Sequence, residues 1–441
     1  MTRDMTEGRI TPILIGFTIP LILGNIFQLL YNAVDSIIVG KFVGEDALAA
    51  VGTCNPLVTL AILFISGLCM GAGILMGMHY GAGDYELLQK QISSTMIGGL
   101  IFSALFALIC IFFAPQFLHL IQVQDEIMGT ATAYLRIILC GLVFTFVYNF
   151  YANVLRALGD ARSPLYFLMI SAVLNVLGDL ILVVIFQMGS NGCAFATVIS
   201  EGVSCLLCGL YIKRKVPVLC LGEKWFVFDK SLFFKTVQYG LTSAMQQATV
   251  QLGKIGIQAI VNTMGVPVMA AFAAVNRIDD FAYTPQQNIG HAMTAFLAQN
   301  KGAGKKDRIR KGFLSGMKIE TVYGICVCMI CFLFAASLMR LFVNDEEVTG
   351  LGARYLHMIA AMYILPAFTN GVQGFFRGIG DLKVTFISSL VNMGVRVIAA
   401  VPFVFCLRMG IEALPLSYLC GWTAMLLAEV PLLVRQIRQL K

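Results

Sequence analysis

Long apolar runs follow one another along the whole chain, separated by short polar segments. Each run holds about 20 or more residues, enough for a helix to cross a hydrocarbon core of about 30 Å. The pattern predicts about twelve membrane-spanning helices, near residues 11–39, 47–78, 92–114, 130–154, 164–187, 191–212, 232–262, 267–299, 312–339, 351–375, 384–406 and 410–434. Some of the runs are longer than a bilayer needs, so we expect those helices to tilt or to protrude.

The pattern also repeats itself. A shift of 221 residues places Gly81-Ala82-Gly83 on Gly302-Ala303-Gly304, and it places Arg156-x-x-Gly159-Asp160 on Arg377-x-x-Gly380-Asp381. After the second element we expect the register to slip by four, because of a longer loop in the first half, so that Asn175 falls on Asn392. One shift shared by separate elements indicates an internal duplication.

The duplication predicts an all-α integral membrane protein built from two six-helix lobes. We expect an N-terminal lobe over residues 1–212, a basic cytoplasmic linker over 213–231 and a C-terminal lobe over 232–441. Because six is even, both lobes start on the same side, and a pseudo-two-fold axis along the membrane normal relates them. Such a pair encloses a cleft, and rocking of one lobe against the other gives alternating access.

Composition supports a membrane protein and sets its orientation. Of the 441 residues 58% are hydrophobic and only 12% are charged, and the formal net charge is +7. The basic residues concentrate in Lys213, Arg214, Lys215, Lys224, Lys230 and Lys235, and in Lys301, Lys305, Lys306, Arg308, Arg310 and Lys311. The positive-inside rule then predicts a multi-pass membrane protein with both termini cytoplasmic. We expect the basic loops to face anionic lipids and not nucleic acid.

Enzyme chemistry finds little support. The thirteen cysteines lie mostly within apolar runs, including the Cys205–Cys208 C-x-x-C, without the histidine or carboxylate cluster that a metal site needs. We interpret them as small apolar filler between helices. Because phosphate-loop and nucleophile motifs are missing too, we expect neither an enzyme nor a bound cofactor.

Two carboxylates lie within apolar runs of the predicted N-terminal lobe. Asp35 is five residues before the turn at Gly40, roughly 7 Å deep, and Asp179 is roughly 12 Å from the outer end of its span. Asn175 precedes Asp179 by one turn and shares its helix face. Two desolvated carboxylates close together favour uptake of a proton or of a hard cation such as Na⁺. The alternative is that each aspartate caps a helix or pairs with an intramembrane arginine.

Other charged and polar residues leave two interpretations open. In the C-terminal lobe Lys254, Arg277, Asp279 and Asp280 form either a self-neutralised network or a substrate contact. Arg156 with Asp160, and Arg377 with Asp381, are interpreted as local charge pairs that position a loop. Pro20 removes a backbone hydrogen bond from the first helix, which gives either a static bend or a switching element.

Three stretches together resemble the MATE family, the multidrug and toxic compound extrusion transporters. They are V-D-S-I-I-V-G…D-A-L-A-A-V-G (Val34 to Gly52), R-A-L-G-D (Arg156 to Asp160) and A-Q-N-K-G-A-G (Ala298 to Gly304). The resemblance implies an antiporter that exports organic, often cationic compounds against an inward flow of H⁺ or Na⁺. The implied location is the bacterial inner membrane, the implied partners are a small organic substrate and membrane lipids, and we expect a monomer.

The resemblance also assigns roles to residues. It implies a cation or proton site at Asp35, Asn175, Asp179 and Thr197, with Pro20 as a bending proline. A substrate cleft is expected at Tyr31, Asn149, Asn153, Gln246, Gln251, Lys254, Asp280 and Asn370. One branch of the family also uses carboxylates on the seventh and tenth helices, where this chain has Gln251, Lys254 and Asn370. We therefore expect coupling through the N-terminal lobe.

Two other functions stay open. A lipid-linked oligosaccharide flippase of the same wider superfamily would need a cationic cleft for pyrophosphate, and Lys254, Arg277 and Arg396 keep that alternative alive. A membrane receptor or scaffold could also be duplicated, but it would not need Asp35.

Overall fold

A computed structural model of the chain describes residues 4–219 and 222–440, and these residues form helices without strands. The longer helices are α1 (Ile10–Phe42), α2 (Glu45–Gly81), α3 (Tyr85–Phe112), α4 (Ala114–Leu120), α5 (Asp125–Cys140), α6 (Leu142–Ala157), α7 (Arg162–Asp179), α8 (Gly189–Lys215), α9 (Lys230–Val261), α10 (Val266–Gly302), α11 (Lys306–Arg340), α12 (Glu346–Ala360), α13 (Ile364–Gly378), α14 (Leu382–Val401) and α15 (Ala413–Gln439). The all-helical class predicted from the sequence is confirmed.

Hydropathy identifies most of these helices as membrane spans. Within the described residues, eight helices are long and apolar enough to cross a bilayer, and ten if each of two bent pairs forms one span. The remaining two predicted spans coincide with α9 and α10, and α10 carries Arg277, Asp279 and Asp280 in its middle. The protein is therefore a multi-pass membrane protein, and the count of twelve spans stays a prediction.

Two predicted spans are bent. The span over 130–154 is divided into α5 and α6, which meet at 41°, and the span over 351–375 is divided into α12 and α13, which meet at 53°. The first bend lies at Gly141, where an added Cβ would come within 2.8 Å of Val198 on α8. The second lies just before Pro366, which cannot donate a backbone hydrogen bond. Hydropathy alone does not detect either bend.

The helices pack into two units. The first contains residues 19–244 and the second contains residues 5–18 together with residues from Met245 onward. The predicted linker belongs to the first unit, because Ser93 on α3 donates to the carbonyls of Trp225 and Val227. The first half of α9 also packs there, so the division falls within α9 at Ala244. The lobe boundaries predicted from the sequence differ from this division.

The expected slip of four residues in the repeat is wrong. Backbone conformations with positive φ recur at the constant shift of 221, as in Gly159 and Gly380, and again in Gln187 and Arg408. The loop before α7 is longer than the loop before α14 by one residue only, since these helices begin at Arg162 and Leu382. Asn175 therefore corresponds to Arg396 and not to Asn392.

The interpretation of Arg156 and Asp160 as a charge pair is also wrong. Asp160 accepts hydrogen bonds from the backbone of Arg162 (3.1 Å) and Ser163 (3.0 Å) and from the Ser163 hydroxyl (2.6 Å), so it caps the start of α7. Among the described residues neither Arg156–Asp160 nor Arg377–Asp381 comes within ion-pair distance. We expected the Asp160 carboxylate to pair with Arg156, but it accepts hydrogen bonds from the free backbone N–H groups at the start of α7 instead.

We expect Gly71→Ala to destabilise the first unit by about 1–3 kcal/mol, because a Cβ there cannot be accommodated. It would lie 2.4 Å from the backbone nitrogen of Gly240 and 2.7 Å from the carbonyl carbon of Tyr239, so α2 and α9 would have to separate. Thermal unfolding in detergent measures the effect. Gly52→Ala is the control on the same helix, since nothing lies within 4 Å of its added Cβ. Equal melting temperatures for both variants would contradict this close packing.

Candidate functional site: a carboxylate and thiol cluster in the first unit

Three helices of the first unit bring ionisable side chains together. Asp35 lies on α1, Asp179 is the last residue of α7 and Cys193 lies in the second turn of α8. Their ligand atoms all lie within 4.8 Å of one another. The Cys193 thiol donates to Asp35 Oδ1 at 3.0 Å. Asp35 is half-buried, whereas Asp179 and Cys193 are fully buried.

The local sequence allows this close approach. Gly178 precedes Asp179, and a Cβ on it would lie 2.9 Å from the Ala196 side chain, so a larger residue would push α7 and α8 apart. Directly after Asp179 the helix continues as one π-helical turn, Leu180–Ile185. Such turns interrupt the regular ladder of backbone hydrogen bonds and are frequent at functional sites. The carboxylate therefore lies at a local irregularity of the helix.

Asn175 and Thr197 extend the cluster by one helical turn. Asn175 Nδ2 donates to Thr197 Oγ1 at 3.2 Å, and Thr197 donates in turn to the carbonyl of Cys193 at 3.1 Å. Within the described part of the chain, Asn175 Oδ1 and both Asp179 carboxylate oxygens are buried without a hydrogen-bond partner. Buried acceptors are normally paired, so three together indicate a site that takes up a proton or a cation.

Glu201 is a further carboxylate on α8. It follows Thr197 by one turn and accepts a hydrogen bond from Thr145 Oγ1 at 2.6 Å. A small cavity with room for about one water molecule is lined by Tyr31, Ser171, Ala172, Asn175, Thr197, Ser200 and Glu201. The cavity therefore reaches Asn175 and Thr197, whereas Asp35, Asp179 and Cys193 do not line it.

The donor set suits a hard monovalent ion or a proton. Carboxylate, amide and hydroxyl oxygens are the ligands that hard cations prefer. Cys193 contributes a protonated thiol that donates to Asp35, so its sulfur acts here as a hydrogen-bond donor and not as a metal ligand. One proton or one cation between two carboxylates this close relieves their repulsion.

The other predicted site residues lie apart from the cluster, with the exception of Tyr31. Asn149 and Asn153 each donate to a backbone carbonyl one turn earlier on α6, at 2.8 Å. Pro20 lies inside α1, where it cannot donate to the carbonyl of Gly16. In the second unit Lys254 is exposed and Gln251 is half-buried.

Gln246 and Asn370 are buried within the second unit. Gln246 donates to Gln373 Oε1 at 3.1 Å and to Ser389 Oγ at 3.3 Å, and Asn370 donates to the carbonyl of Pro366 at 2.9 Å. Their amide groups are thus used in packing between helices of that unit. Their predicted contact with substrate stays a prediction.

The charged residues of α10 do not form the predicted self-neutralised network. Within the described residues Arg277, Asp279, Asp280 and Lys254 make no ion pair with one another. Arg277 and Asp280 are exposed, and Asp279 accepts a hydrogen bond from the Tyr363 hydroxyl. The partner of Asp279 is therefore the hydroxyl of Tyr363, which lies between α12 and α13, where an arginine or lysine was expected.

Cys193 and Glu201 are absent from the sequence prediction. Both could have been found from spacing, because Cys193, Thr197 and Glu201 recur every four residues and so follow one face of α8. Cysteine was interpreted as apolar filler, and that interpretation does not describe this thiol.

Fold and site together define a multi-pass helical membrane protein in which two carboxylates and a thiol meet within one unit. Buried carboxylates within membrane-spanning helices are typical of pathways for ions and protons. The MatE family model matches residues 20–181 and again residues 243–401, once in each half. The chain therefore belongs to the MatE family of transporters.

Individual relatives and structures agree with this membership. A probable multidrug resistance protein of Bacillus subtilis, YpnP, is 28% identical over 89% of this chain and 88% of its own length. The multidrug export protein MepA of Staphylococcus saprophyticus is 21% identical over 82% of this chain and 79% of its own length. A crystal structure of MATE in the bent conformation aligns with a TM-score of 0.92 at 22% identity, covering 99% of this chain and 97% of the other.

Proposed function

We propose that this protein is a secondary antiporter that exports small organic compounds, cationic ones included, in exchange for inward movement of H⁺ or Na⁺. The observation that carries the proposal is the cluster of Asp35, Asp179 and Cys193 in the first unit, with three buried oxygens that lack partners. Membership of the MatE family and the names of its multidrug relatives support export of organic compounds.

In the proposed cycle the ion and the substrate do not bind to the protein at the same time. Asp179 and Asn175 hold the ion with their unpartnered oxygens, and Asp35 supplies the second carboxylate. Loading of the site changes the charge of the cluster and so changes the preferred arrangement of α1, α7 and α8. Twelve spans, two lobes and cytoplasmic termini are part of this proposal, and alternating access between the lobes transfers the substrate outward.

The structure supports the flippase alternative less well than the sequence alone does. Of its three candidate cations, Arg396 is buried against the rings of Tyr418 and Trp422. A guanidinium held in this way is not available to a pyrophosphate group.

The proposal is tested with purified protein in liposomes, where dye efflux is measured under separately imposed pH and Na⁺ gradients. We expect one of the two gradients to drive ethidium movement and its collapse to stop that movement. A membrane potential of 100 mV supplies about 2.3 kcal/mol per charge, so the potential is clamped throughout. Ethidium movement that depends on neither gradient would refute the antiport.

A further inference from the structure

The second unit buries a carboxylate that the proposed cycle does not use. Glu320 lies on α11 and is fully buried, and within the described part of the chain neither of its carboxylate oxygens has a hydrogen-bond partner. Among the described residues no lysine or arginine lies within ion-pair distance of it. An ionised carboxylate at such a place costs much free energy, so the group needs a bound proton or a bound cation.

Small residues of α13 leave room for this side chain. The Cγ of Glu320 would lie 3.8 Å from a Cβ added to Gly371, and one turn further along α11 a Cβ on Gly324 would lie 3.3 Å from the Ala367 side chain. Gln286 of α10 reaches the same contact, since its Nε2 would lie 3.7 Å from that Gly324 Cβ. Its Oε1 is also buried without a partner among the described residues. The acid and the amide therefore lie about one helical turn apart along α11.

The first unit is apolar at the equivalent positions. At the shift of 221 residues the positions of Glu320, Ala367 and Gln286 hold residues without polar side chains, namely Gly99, Phe146 and Ile65. The phenylalanine and the isoleucine are fully buried, and a Cβ on the glycine would overlap the phenylalanine ring. In the second unit this ring is reduced to a methyl group, and the facing helix carries a carboxylate. Packing alone therefore does not require an acid here, because the repeated fold fills the same place with carbon atoms in the first unit.

Two interruptions of regular helix border this place. The helix α10 contains Pro285, which cannot donate to the carbonyl of Phe281. The helices α12 and α13 meet at 53°, and the carbonyl of Tyr363 at that bend accepts a hydrogen bond from Gln286 Nε2 at 3.2 Å. The Tyr363 hydroxyl donates to half-buried Asp279, so hydrogen bonds connect the buried amide with a second carboxylate. Discontinuous helices of this kind form ion sites in transporters.

The other titratable groups near Glu320 have partners of their own. Tyr323 on the same helix is within electrostatic reach of the carboxylate, but its hydroxyl donates to a backbone carbonyl of α10 at 3.2 Å. On α13 the guanidinium of Arg377 reaches Gly290 of α10, where an added Cβ would lie 3.4 Å from its Nη2. On α12 His357 packs against a phenylalanine about three turns further along α11. Within the described residues none of these groups neutralises Glu320, so the neutralising charge comes from solution.

We propose that Glu320 is a second proton-binding site of the protein, located in the second unit and separate from the cluster of Asp35, Asp179 and Cys193. Hard metal ions generally take six or more oxygen ligands, and this place offers the unpaired oxygens of one carboxylate and one amide. A proton needs only the carboxylate, which then becomes a neutral acid that donates one hydrogen bond. The inference does not depend on the proposed antiport, because proton binding is measured without transport.

Infrared difference spectroscopy of the protein in liposomes detects the bound proton directly. Between about pH 5 and about pH 9 we expect the carbonyl band of a protonated carboxyl group to disappear as the pH rises, and to be missing throughout in Glu320→Gln. Glu347→Gln is the matched control and should keep the band, because Glu347 is an exposed carboxylate in the first turn of α12. A Glu320 band that keeps its intensity over this range, or that never appears, would overturn the inference. Loss of the band on addition of Na⁺ at constant pH would overturn the assignment to a proton.

A second variant tests the site if Glu320→Gln does not fold. Glu320→Gly combined with Ala367→Phe copies the apolar pair Gly99 and Phe146 of the first unit, so it removes the acid and fills the space with a ring. We expect this double variant to lack the same band and to bind one proton fewer per chain than the wild type in a potentiometric titration over the same pH range. A proton count equal to that of the wild type would contradict the inference. Ethidium efflux tests the antiport independently, so the failure of either proposal is distinguishable from the failure of the other.

Discussion

Replacing Asp179 by Asn should abolish gradient-driven efflux while leaving the folded protein at least as stable as the wild type. Two ionised carboxylates offer each other only acceptors, and both Asp179 oxygens are then buried without a donor, so the folded state carries a cost of about 1–3 kcal/mol or more until a proton or cation binds. A neutral amide of the same shape reduces that cost. It also removes the charge that attracts the coupling ion, and we expect transport to fall about a hundredfold or more.

The measurement pairs ethidium efflux in liposomes with the melting temperature in detergent. Asp46→Asn is the matched control, since Asp46 is an exposed carboxylate in the first turn of α2. If Asp179→Asn transported at the wild-type rate, the cluster would not be the coupling site. A loss of transport together with a loss of stability would indicate a structural role instead.

The Asp35→Asn variant should also lose gradient-driven efflux, and the effects of the Asp35 and Asp179 substitutions on transport should not be additive. Because the ligand atoms of the two carboxylates lie within 4.8 Å of each other, removal of either carboxylate leaves a site that cannot bind the ion in the same way. The Cys193 thiol would then face a side chain that donates as well as accepts hydrogen bonds. We expect the double variant to be no more impaired than each single one.

The sequence alone is informative at positions where burial of a charge costs much free energy. A carboxylate within an apolar run needs a functional reason, and this cost alone singles out Asp35 and Asp179. Cys193 lacks this energetic signal, because a thiol within an apolar run costs little and resembles filler. Its spacing places it on the same face of α8 as Thr197, but its contact with Asp35 becomes evident only when α1 and α8 are packed together.

The repeat shows a different limit of sequence reasoning. Matching two identical side chains, Asn175 and Asn392, led to a slip of four residues that the backbone does not have. Positive φ at Gln187 and at Arg408 shows that the duplication preserves backbone conformation more faithfully than residue identity. With the correct shift, Asn175 corresponds to Arg396. The two units therefore differ in the side chains at equivalent positions and not in the positions themselves.

The corresponding places of the two units differ in charge. In the first unit Asn175 Oδ1 and both Asp179 oxygens lack partners among the described residues, and a site of this kind gains stability when an ion binds. In the second unit the corresponding place holds Arg396 against the rings of Tyr418 and Trp422. The second unit also buries Glu320 and Glu429, so the two units differ in where their acidic groups lie and not in whether they have them.

Asn175→Leu should weaken the apparent affinity for the coupling ion by about 10–100-fold without lowering the maximal rate to the same extent. Asn175 Oδ1 is one of the buried oxygens without a partner, whereas the amide nitrogen only positions Thr197. Leucine keeps the branching at Cγ and removes the unpaired acceptor, and although its methyl groups are larger than the amide, we expect the melting temperature to stay close to that of the wild type. The dependence of efflux rate on ion concentration measures the change. Thr197→Val separates the two roles of the Asn175 amide, because it removes only the hydrogen-bond partner of Nδ2. We expect it to shift the affinity for the ion less than Asn175→Leu does. An equal or larger shift would show that the ion binds the Thr197 hydroxyl and not the Asn175 amide oxygen.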